Sequence, residues 1–217
     1  MIIRLDPAVN QDQVIQQAKK VLLQGGLVAC PTESFYGLAV DAGNETAIRK
    51  LFSLKHRDPG QPVLILIPSA ESLRDYVTRI PPAAVPLIRE FWPGGLTLIL
   101  EASKKISPLL TGGTKTIGVR LSGHPIPTAL ARAIRGPITG TSANPSGAPP
   151  CCHAEEVTAY FGDRIDLILD AGETAGGIGS TVLDMTTHLP KIIRDGMIPR
   201  RELEKIIKAV TPPAVSP

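Results

Sequence analysis

The sequence predicts an α/β fold: a mixed β-sheet with helices packed on its faces. Three observations carry this. Hydrophobic residues make up 43% of the 217 positions, enough to build a core and too many for a disordered chain. Short apolar runs of strand length, such as "PVLILI", "GLTLILEA" and "DLILDAG", are interspersed with amphipathic helical segments. Several of these runs follow one another with only a loop between them, which favours a mixed sheet over strict parallel alternation. The length favours one domain, expected at 1–210, with a flexible Pro-rich tail at 211–217.

In chain order, "MIIRL" reads as a strand. Residues 11–24 place Val14, Ile15, Ala18, Val21 and Leu22 on one helical face, and Gly25 and Gly26 stop the helix. "LVAC" and "YGLAVDA" are strands on either side of a polar turn. Asn44 is placed to cap a helix carrying Ile48, Leu51 and Phe52. "PVLILI" at 62–67 is a buried strand, and helices follow at 69–77 and 81–92, where Pro86 argues for a break or a late start. Strands are expected at 95–102, 116–121 and 137–140, with a short helix at 126–134. A helix at 155–161 precedes three strands, "DLILDAG", "STVLDMT" and "KIIRDG". A last helix from Pro199 carries Leu203, Ile206, Ile207 and Val210 on one side.

Bulk chemistry excludes some functions. With 23 basic and 20 acidic residues, the net charge of +3 does not by itself mark a nucleic-acid binder. No apolar run approaches the ~20 residues of a membrane span. The opening "MIIRLDPAVN" reaches Arg4 without a long apolar stretch, so a cytoplasmic location without membrane attachment is expected. Cys30 reads as core, and Cys151 and Cys152 are adjacent without a Cys-x-x-Cys. The four histidines are scattered, so no protein-held metal site is expected.

The common nucleotide motifs fail. "GGTKT" lacks the earlier Gly of a P-loop, and no Gly-x-Gly-x-x-Gly follows a strand. "HRD" at 56–58 lacks the rest of a kinase loop. What remains are polar clusters at the ends of apolar strands: Thr32, Glu33, Ser34 and Tyr36; Lys55, Arg57 and Gln61; Arg120; Thr141, Ser142 and Asn144; Ser180 and Thr181; and Arg194. Each has an ordinary reading. Loops are polar, Lys55 and Arg57 suit a solvated helix end, and Ser142 and Asn144 suit a turn or cap. Arg120 and Arg194 are less ordinary, because an unpaired guanidinium in an apolar strand is costly. Either a carboxylate or a phosphate would satisfy them. Together, four cations, several hydroxyls and two Gly-rich loops suit a polyanionic ligand in a strand-end crevice. No Ser–His or Cys–His nucleophile and no carboxylate pair stands out, so an enzyme built from these groups would act by positioning and by stabilising charge.

"PTESFYGLAVDA", "KHRDPGQPV", "WPGGLTLIL", "TIGVRL", "TGTSANPSG", "STVLD" and "IIRDG" occur in an order that resembles the YrdC-like family of threonylcarbamoyl-AMP synthases, over about residues 10–200. The resemblance implies a three-layer α/β fold around a twisted mixed sheet with a basic concave cavity. It also implies a reaction joining L-threonine, bicarbonate and ATP to threonylcarbamoyl-AMP and pyrophosphate, with Mg²⁺ accompanying ATP. Partner proteins then transfer the threonylcarbamoyl group to tRNA, and tRNA itself is a further candidate partner. By the same resemblance, Thr32, Ser34, Tyr36, Arg120 and Ser180 belong to the threonine and bicarbonate site. Lys55, Arg57, Gln61, Ser142, Asn144 and Arg194 belong to the ATP site, with Lys55 and Arg57 as catalytic groups.

The chain departs from the family pattern at Ser34, where Thr is usual, at Leu66, where longer members carry a His, and at Gly179, where Glu is common. The competing reading is a non-catalytic module that binds double-stranded or transfer RNA in the same cavity. Its weakness is an aromatic content of 4%, which leaves few rings for base stacking.

Overall fold

The computed structural model describes residues 1–210, so the tail expected at 211–217 lies outside the described residues. Ten strands form one sheet: β1 (Ile2–Arg4), β2 (Val28–Pro31), β3 (Tyr36–Ala39), β4 (Leu64–Leu66), β5 (Leu96–Glu101), β6 (Thr116–Arg120), β7 (Ile138–Ser142), β8 (Leu167–Asp170), β9 (Thr181–Asp184) and β10 (Lys191–Arg194). Their order across the sheet is β1-β8-β2-β3-β7-β4-β6-β5-β9-β10. The sheet is mixed: β1–β8, β8–β2, β4–β6 and β5–β9 are parallel, and the other neighbours are antiparallel. β7 is the joint. Its C-terminal half pairs with β3 through Gly37–Ser142 and Leu38–Thr141. Its N-terminal half pairs with β4 through Leu64–Gly140, Ile65–Thr139 and Leu66–Ile138. One five-residue strand therefore brings the β2–β3 turn and the region after α2 (Glu45–Lys55) to the same place.

Helices cover both faces. On one face, α1 (Gln11–Leu23) and α6 (Pro125–Ile134) bury Val14, Ile15, Ala18 and Leu22 against Ile126, Leu130 and Ala131, over Val28, Cys30, Ala39 and Leu66 of the sheet. On the other, α2, α4 (Ala84–Phe91), α7 (Ala154–Phe161) and α8 (Arg200–Val210) pack on the second cluster, which includes Leu51, Leu87, Val157 and Leu203. The α2 cap is the expected one, with the Asn44 side chain accepting from the Ala47 amide at 3.1 Å. Two helical expectations shrink. The segment at 69–77 forms only α3 (Leu73–Tyr76), and that at 81–92 starts late, at Ala84, because Pro82 and Pro86 fit only a first turn. Pro108 opens a single turn, α5 (Pro108–Thr111), capped by Ser107, that the sequence pattern did not reveal.

Candidate active site

The strand-end clusters meet over the middle of the sheet. A cavity of ≈540 Å³ spreads across β3, β7, β4, β6, β5 and β9, beside the face covered by α1 and α6. Nine of the eleven sequence-predicted residues line it: Thr32, Ser34, Tyr36, Arg57, Arg120, Ser142, Asn144, Ser180 and Arg194. Lys55 and Gln61 do not. The three positions that depart from the family pattern, Ser34, Leu66 and Gly179, all lie on its wall. Three arginines line the cavity, and no Asp, Glu, His or Lys does.

Arg120 ends β6 and is 7% exposed. Its Nη2 donates to Glu33 Oε2 at 2.5 Å, and the other Glu33 oxygen accepts from the Gly123 amide at 2.5 Å. Of the two partners left open by the sequence, the carboxylate is the one present, supplied from 87 residues away by the β2–β3 turn. That turn is tied by Thr32, whose amide and hydroxyl both donate to the Phe35 carbonyl at 3.0 and 2.7 Å. The pairing leaves Arg120 Nε buried with no partner among the described residues. Asn144 Oδ1 is in the same condition, although its Nδ2 donates to the carbonyls of Pro145 and Ala148. A buried donor and a buried acceptor with nothing to bond, both on residues of one cavity wall, mark a place built for a ligand.

Lys55 is 2% exposed. The α2 face that buries Ala47, Ile48, Leu51 and Phe52 continues one turn later to Lys55, so helical periodicity drives its stem inward. Its ammonium donates to the carbonyls of Ser142 and Asn144, each at 2.5 Å, and holds the loop after β7. Burial, with the Arg57 charge second, pulls its pKa down to about 8. Arg57 lies just beyond α2, in a half-buried position that lowers its pKa. It donates to the backbone carbonyls of Gln61 and Pro62 at 3.3 and 2.7 Å, so Gln61 contributes a carbonyl here while its own residue is exposed.

Arg194 is clamped on Ser180: Nε and Nη2 donate to the Ser180 carbonyl at 3.1 and 2.8 Å, and Nη2 reaches Oγ at 3.1 Å. A Cβ on Gly196 would collide with the Gly179 carbonyl oxygen, so a side-chain-free residue lets this segment lie against the backbone of 179–181. Burial lowers the Arg194 pKa, and the nearby Arg120 charge lowers it further. Ser180 Oγ also lies 2.9 Å from Oγ1 of Thr97, a buried β5 residue on the cavity wall. Tyr36 is fully buried, and its hydroxyl donates to the Gly172 carbonyl at 2.7 Å. Burial raises its pKa to about 12, and that of the wall residue Cys30 also to about 12.

Sequence reading gave Glu33 and Thr97 no role in the site. Glu33 stood inside a quoted motif, but its partner depends on sheet order. Thr97 lies inside the apolar run "GLTLILEA", away from any polar cluster. Among the described residues, no group of three or more His, Cys, Asp or Glu side chains is placed to hold a metal ion. No helix of the described residues is long and apolar enough to cross a membrane.

The chain is 40% identical over 193 residues to a threonylcarbamoyl-AMP synthase of Pyrococcus abyssi, a match covering 89% of this chain and 57% of that protein. The structure of P. abyssi Sua5 complexed with L-threonine superposes with a TM-score of 0.91 at 38% identity, covering 95% of this chain and 61% of that one. E. coli YciO superposes with a TM-score of 0.83 at 27% identity, covering 91% and 96%. The chain thus spans 57–59% of the length of the first curated relatives it matches. A family model described as telomere recombination, Sua5/yciO/yrdC, matches residues 20–196, and the chain belongs to that family.

Proposed function

We propose that this chain is an L-threonylcarbamoyladenylate synthase, a nucleotidyltransferase that condenses L-threonine, bicarbonate and ATP to threonylcarbamoyl-AMP and pyrophosphate for tRNA modification. The observation that carries this reading is the set of three arginines from separate segments on one cavity wall, with Arg120 Nε and Asn144 Oδ1 buried and unfilled. Synthase names among the relatives and the threonine complex of P. abyssi Sua5 support it.

The chemistry fits a wall without a base. The neutral threonine nitrogen attacks the carbon of bicarbonate, a C–O bond breaks and water leaves, carrying one proton of the amine, to give a carbamate. A carbamate oxygen then attacks the α-phosphorus, and pyrophosphate leaves. That oxygen is already anionic, so no proton has to be removed from it. Besides arginine, the titratable wall residues are Cys30 and Tyr36, both shifted to about 12 and therefore protonated at neutral pH. A free α-amino group ordinarily titrates at about 8, so the amine of threonine supplies its own neutral fraction. The barrier lies in bringing two anions together, and Arg57, Arg120 and Arg194 are the groups that lower it. Lys55 acts beneath the wall by fixing the Ser142 and Asn144 carbonyls.

Among the described residues, the only carboxylate in direct contact with a wall arginine, Glu33, is already committed, and no side-chain cage for Mg²⁺ is at hand. Mg²⁺ therefore belongs to this reading as a companion of the ATP phosphates, not as an ion held by side chains. A cytoplasmic site of action and transfer proteins acting on the product go with the same reading. RNA binding is the weaker reading: the aromatic wall residues are Phe35 and Tyr36, and the Tyr36 hydroxyl is engaged with Gly172.

The test is pyrophosphate release by the purified chain given ATP, Mg²⁺ and bicarbonate. Release that requires L-threonine is the expected result. Threonine-independent release, or none, would count against the proposal.

A further inference from the structure

Residues 171–180 join β8 to β9, and six strands lie between these two in the sheet: β2, β3, β7, β4, β6 and β5. The connection therefore crosses the strands over which the cavity spreads. It is anchored at two points. At the first, Thr174 is buried, and its amide and hydroxyl both donate to the Cys152 carbonyl at 3.0 and 3.3 Å. At the second, the Gly179 carbonyl accepts from the Met197 amide at 2.9 Å, and Ser180 is buried and held by Arg194.

Between the anchors the chain is nearly unattached. Ala175, Gly177 and Ile178 are exposed. Among the described residues one hydrogen bond holds this stretch, from the Gly176 amide to the Ser34 carbonyl at 2.6 Å. Gly176 and Gly177 have φ of +66° and +81°, a region open to glycine, and a Cβ on Gly177 would meet nothing within 4 Å. Ile178 stands between Gly177 and Gly179 at 54% exposure, so its side chain does not hold the stretch down. The stretch bridges two residues of the cavity wall: Ser34 through the Gly176 bond, and Gly179 by continuity. Two anchors, glycines on either side of the centre and a single bond between them are the parts of a hinged rim.

We propose that residues 175–178 form a gate at the rim of the cavity: it swings on Gly176, Gly177 and Gly179, is latched by the Gly176–Ser34 hydrogen bond, and opens to pass substrates and product. Opening breaks one backbone hydrogen bond and moves no core residue, so it is compatible with turnover. Closing sheds water from a cavity in which a carbamate would otherwise be lost to hydrolysis. Because the latch sits on Ser34, a ligand that orders the β2–β3 turn also favours the closed form. The inference deepens the synthase reading and rests on it for the identity of what the gate retains.

The test locks the gate. A Cβ on Gly176 would lie 3.2 Å from Cys152 Sγ, close to the ~3.0 Å between a Cβ and the far sulfur of a disulfide. Cys30 and Cys151 are buried, so Gly176→Cys places one new thiol beside the half-buried Cys152. Oxidised, this full-chain variant is cross-linked in the latched form. Reduced, it is free, and it carries the same strain of a side chain at this φ, so the comparison lies within one protein. Turnover with ATP, Mg²⁺, bicarbonate and L-threonine is measured in both forms, together with stopped-flow release of ATP carrying a fluorophore on its ribose. Cross-linking is expected to lower kcat/KM for threonine by at least about tenfold and to slow nucleotide release by a similar factor, and a thiol reductant to restore both. With Cys152→Ser added, oxidation is expected to change neither. A cross-linked protein that turns over and releases nucleotide like its reduced form overturns the proposal. If no cross-link forms, hydrogen exchange of the wild type decides. The amides of 175–178 are expected to exchange faster than that of Thr174, and at least about tenfold more slowly once ATP and threonine are bound. Exchange that ignores both ligands overturns the proposal. If the wild type binds nucleotide but shows no threonine-dependent turnover, the synthase reading falls, and the release rates of the locked and free forms still decide on the gate. A wild type that binds neither ATP nor threonine overturns both.

Discussion

Lys55 and Arg120 are both nearly inaccessible cations, at 2% and 7% exposure, and the fold satisfies them in opposite ways. Lys55 has no counter-ion among the described residues. It gives its ammonium to two carbonyls of one loop and lies outside the cavity wall. Arg120 has a carboxylate partner and lines the cavity, yet one of its nitrogens is bonded to nothing among the described residues. An ammonium can spread its three donors over backbone oxygens, so a buried lysine makes a good strut. A guanidinium has five donors in a fixed plane, so a partner at one corner leaves the rest for a ligand. Burial alone therefore does not mark a binding residue. Unspent hydrogen-bonding capacity does.

If this contrast is right, removing each cation damages a different property. Arg120→Met is expected to lower kcat/KM by on the order of 10²–10³, the usual loss when a group that stabilises developing charge is removed. Its melting transition is expected to stay cooperative, because Glu33 keeps the Gly123 amide and has partial access to water. Steady-state pyrophosphate release and calorimetry measure the two effects. Lys55→Met is expected to do the reverse. The Ser142 and Asn144 carbonyls lose their partner, which costs about 2–4 kcal/mol of stability in urea unfolding. If Lys55→Met were as stable as wild type, Lys55 would not be a strut.

How far the sequence revealed this contrast depended on the range of the interaction. Local rules found the α1 face, the Asn44 cap and the clusters at strand ends, because these depend on residues within a turn or two of one another. The same helical period that placed Ile48, Leu51 and Phe52 inward also carries Lys55 inward. The positive charge of Lys55 had suggested a solvated helix end instead. The Glu33–Arg120 pair was out of reach. It joins residues 87 apart, and nothing short of the order β3-β7-β4-β6 places the β2–β3 turn near the end of β6. The partner of Arg194 was hidden for a related reason. Carboxylate and phosphate were the acceptors weighed, whereas among the described residues a backbone carbonyl and a hydroxyl of Ser180 hold it.

The lysine half of the contrast can be sharpened with pH. Burial lowers the Lys55 pKa from 10.5 to about 8, so the unfolded chain binds more protons than the native one between these values. Wild-type stability gains from this group as pH rises through that window, and loses the gain as pH falls through about 8. Met cannot titrate. The stability gap between wild type and Lys55→Met is therefore expected to widen by about 2 kcal/mol from pH 7 to pH 10, and taking the difference cancels the other titrating groups. A gap that stays constant would mean that the ammonium is not desolvated.

The smallest expected effect concerns the arginine half. Thr97 Oγ1 meets Ser180 Oγ, Ser180 holds Arg194 by its carbonyl and hydroxyl, and Arg194 lines the same cavity as Arg120. This is a relay of position made from neutral bonds. Thr97→Val keeps the shape and the β-branching that suits a strand but removes one hydroxyl. Ser180 Oγ still accepts from Arg194, so no buried group is left wholly unpaired, and a cost of only about 1 kcal/mol is expected in urea unfolding. Because both bonds to the Ser180 carbonyl survive, KM for threonine is expected to rise by no more than about threefold, and Thr97→Ser to restore it. A hundredfold loss of turnover in Thr97→Val would place Thr97 among the groups that meet the substrate directly, and the division between struts and ligand-facing cations would then need a third kind of residue.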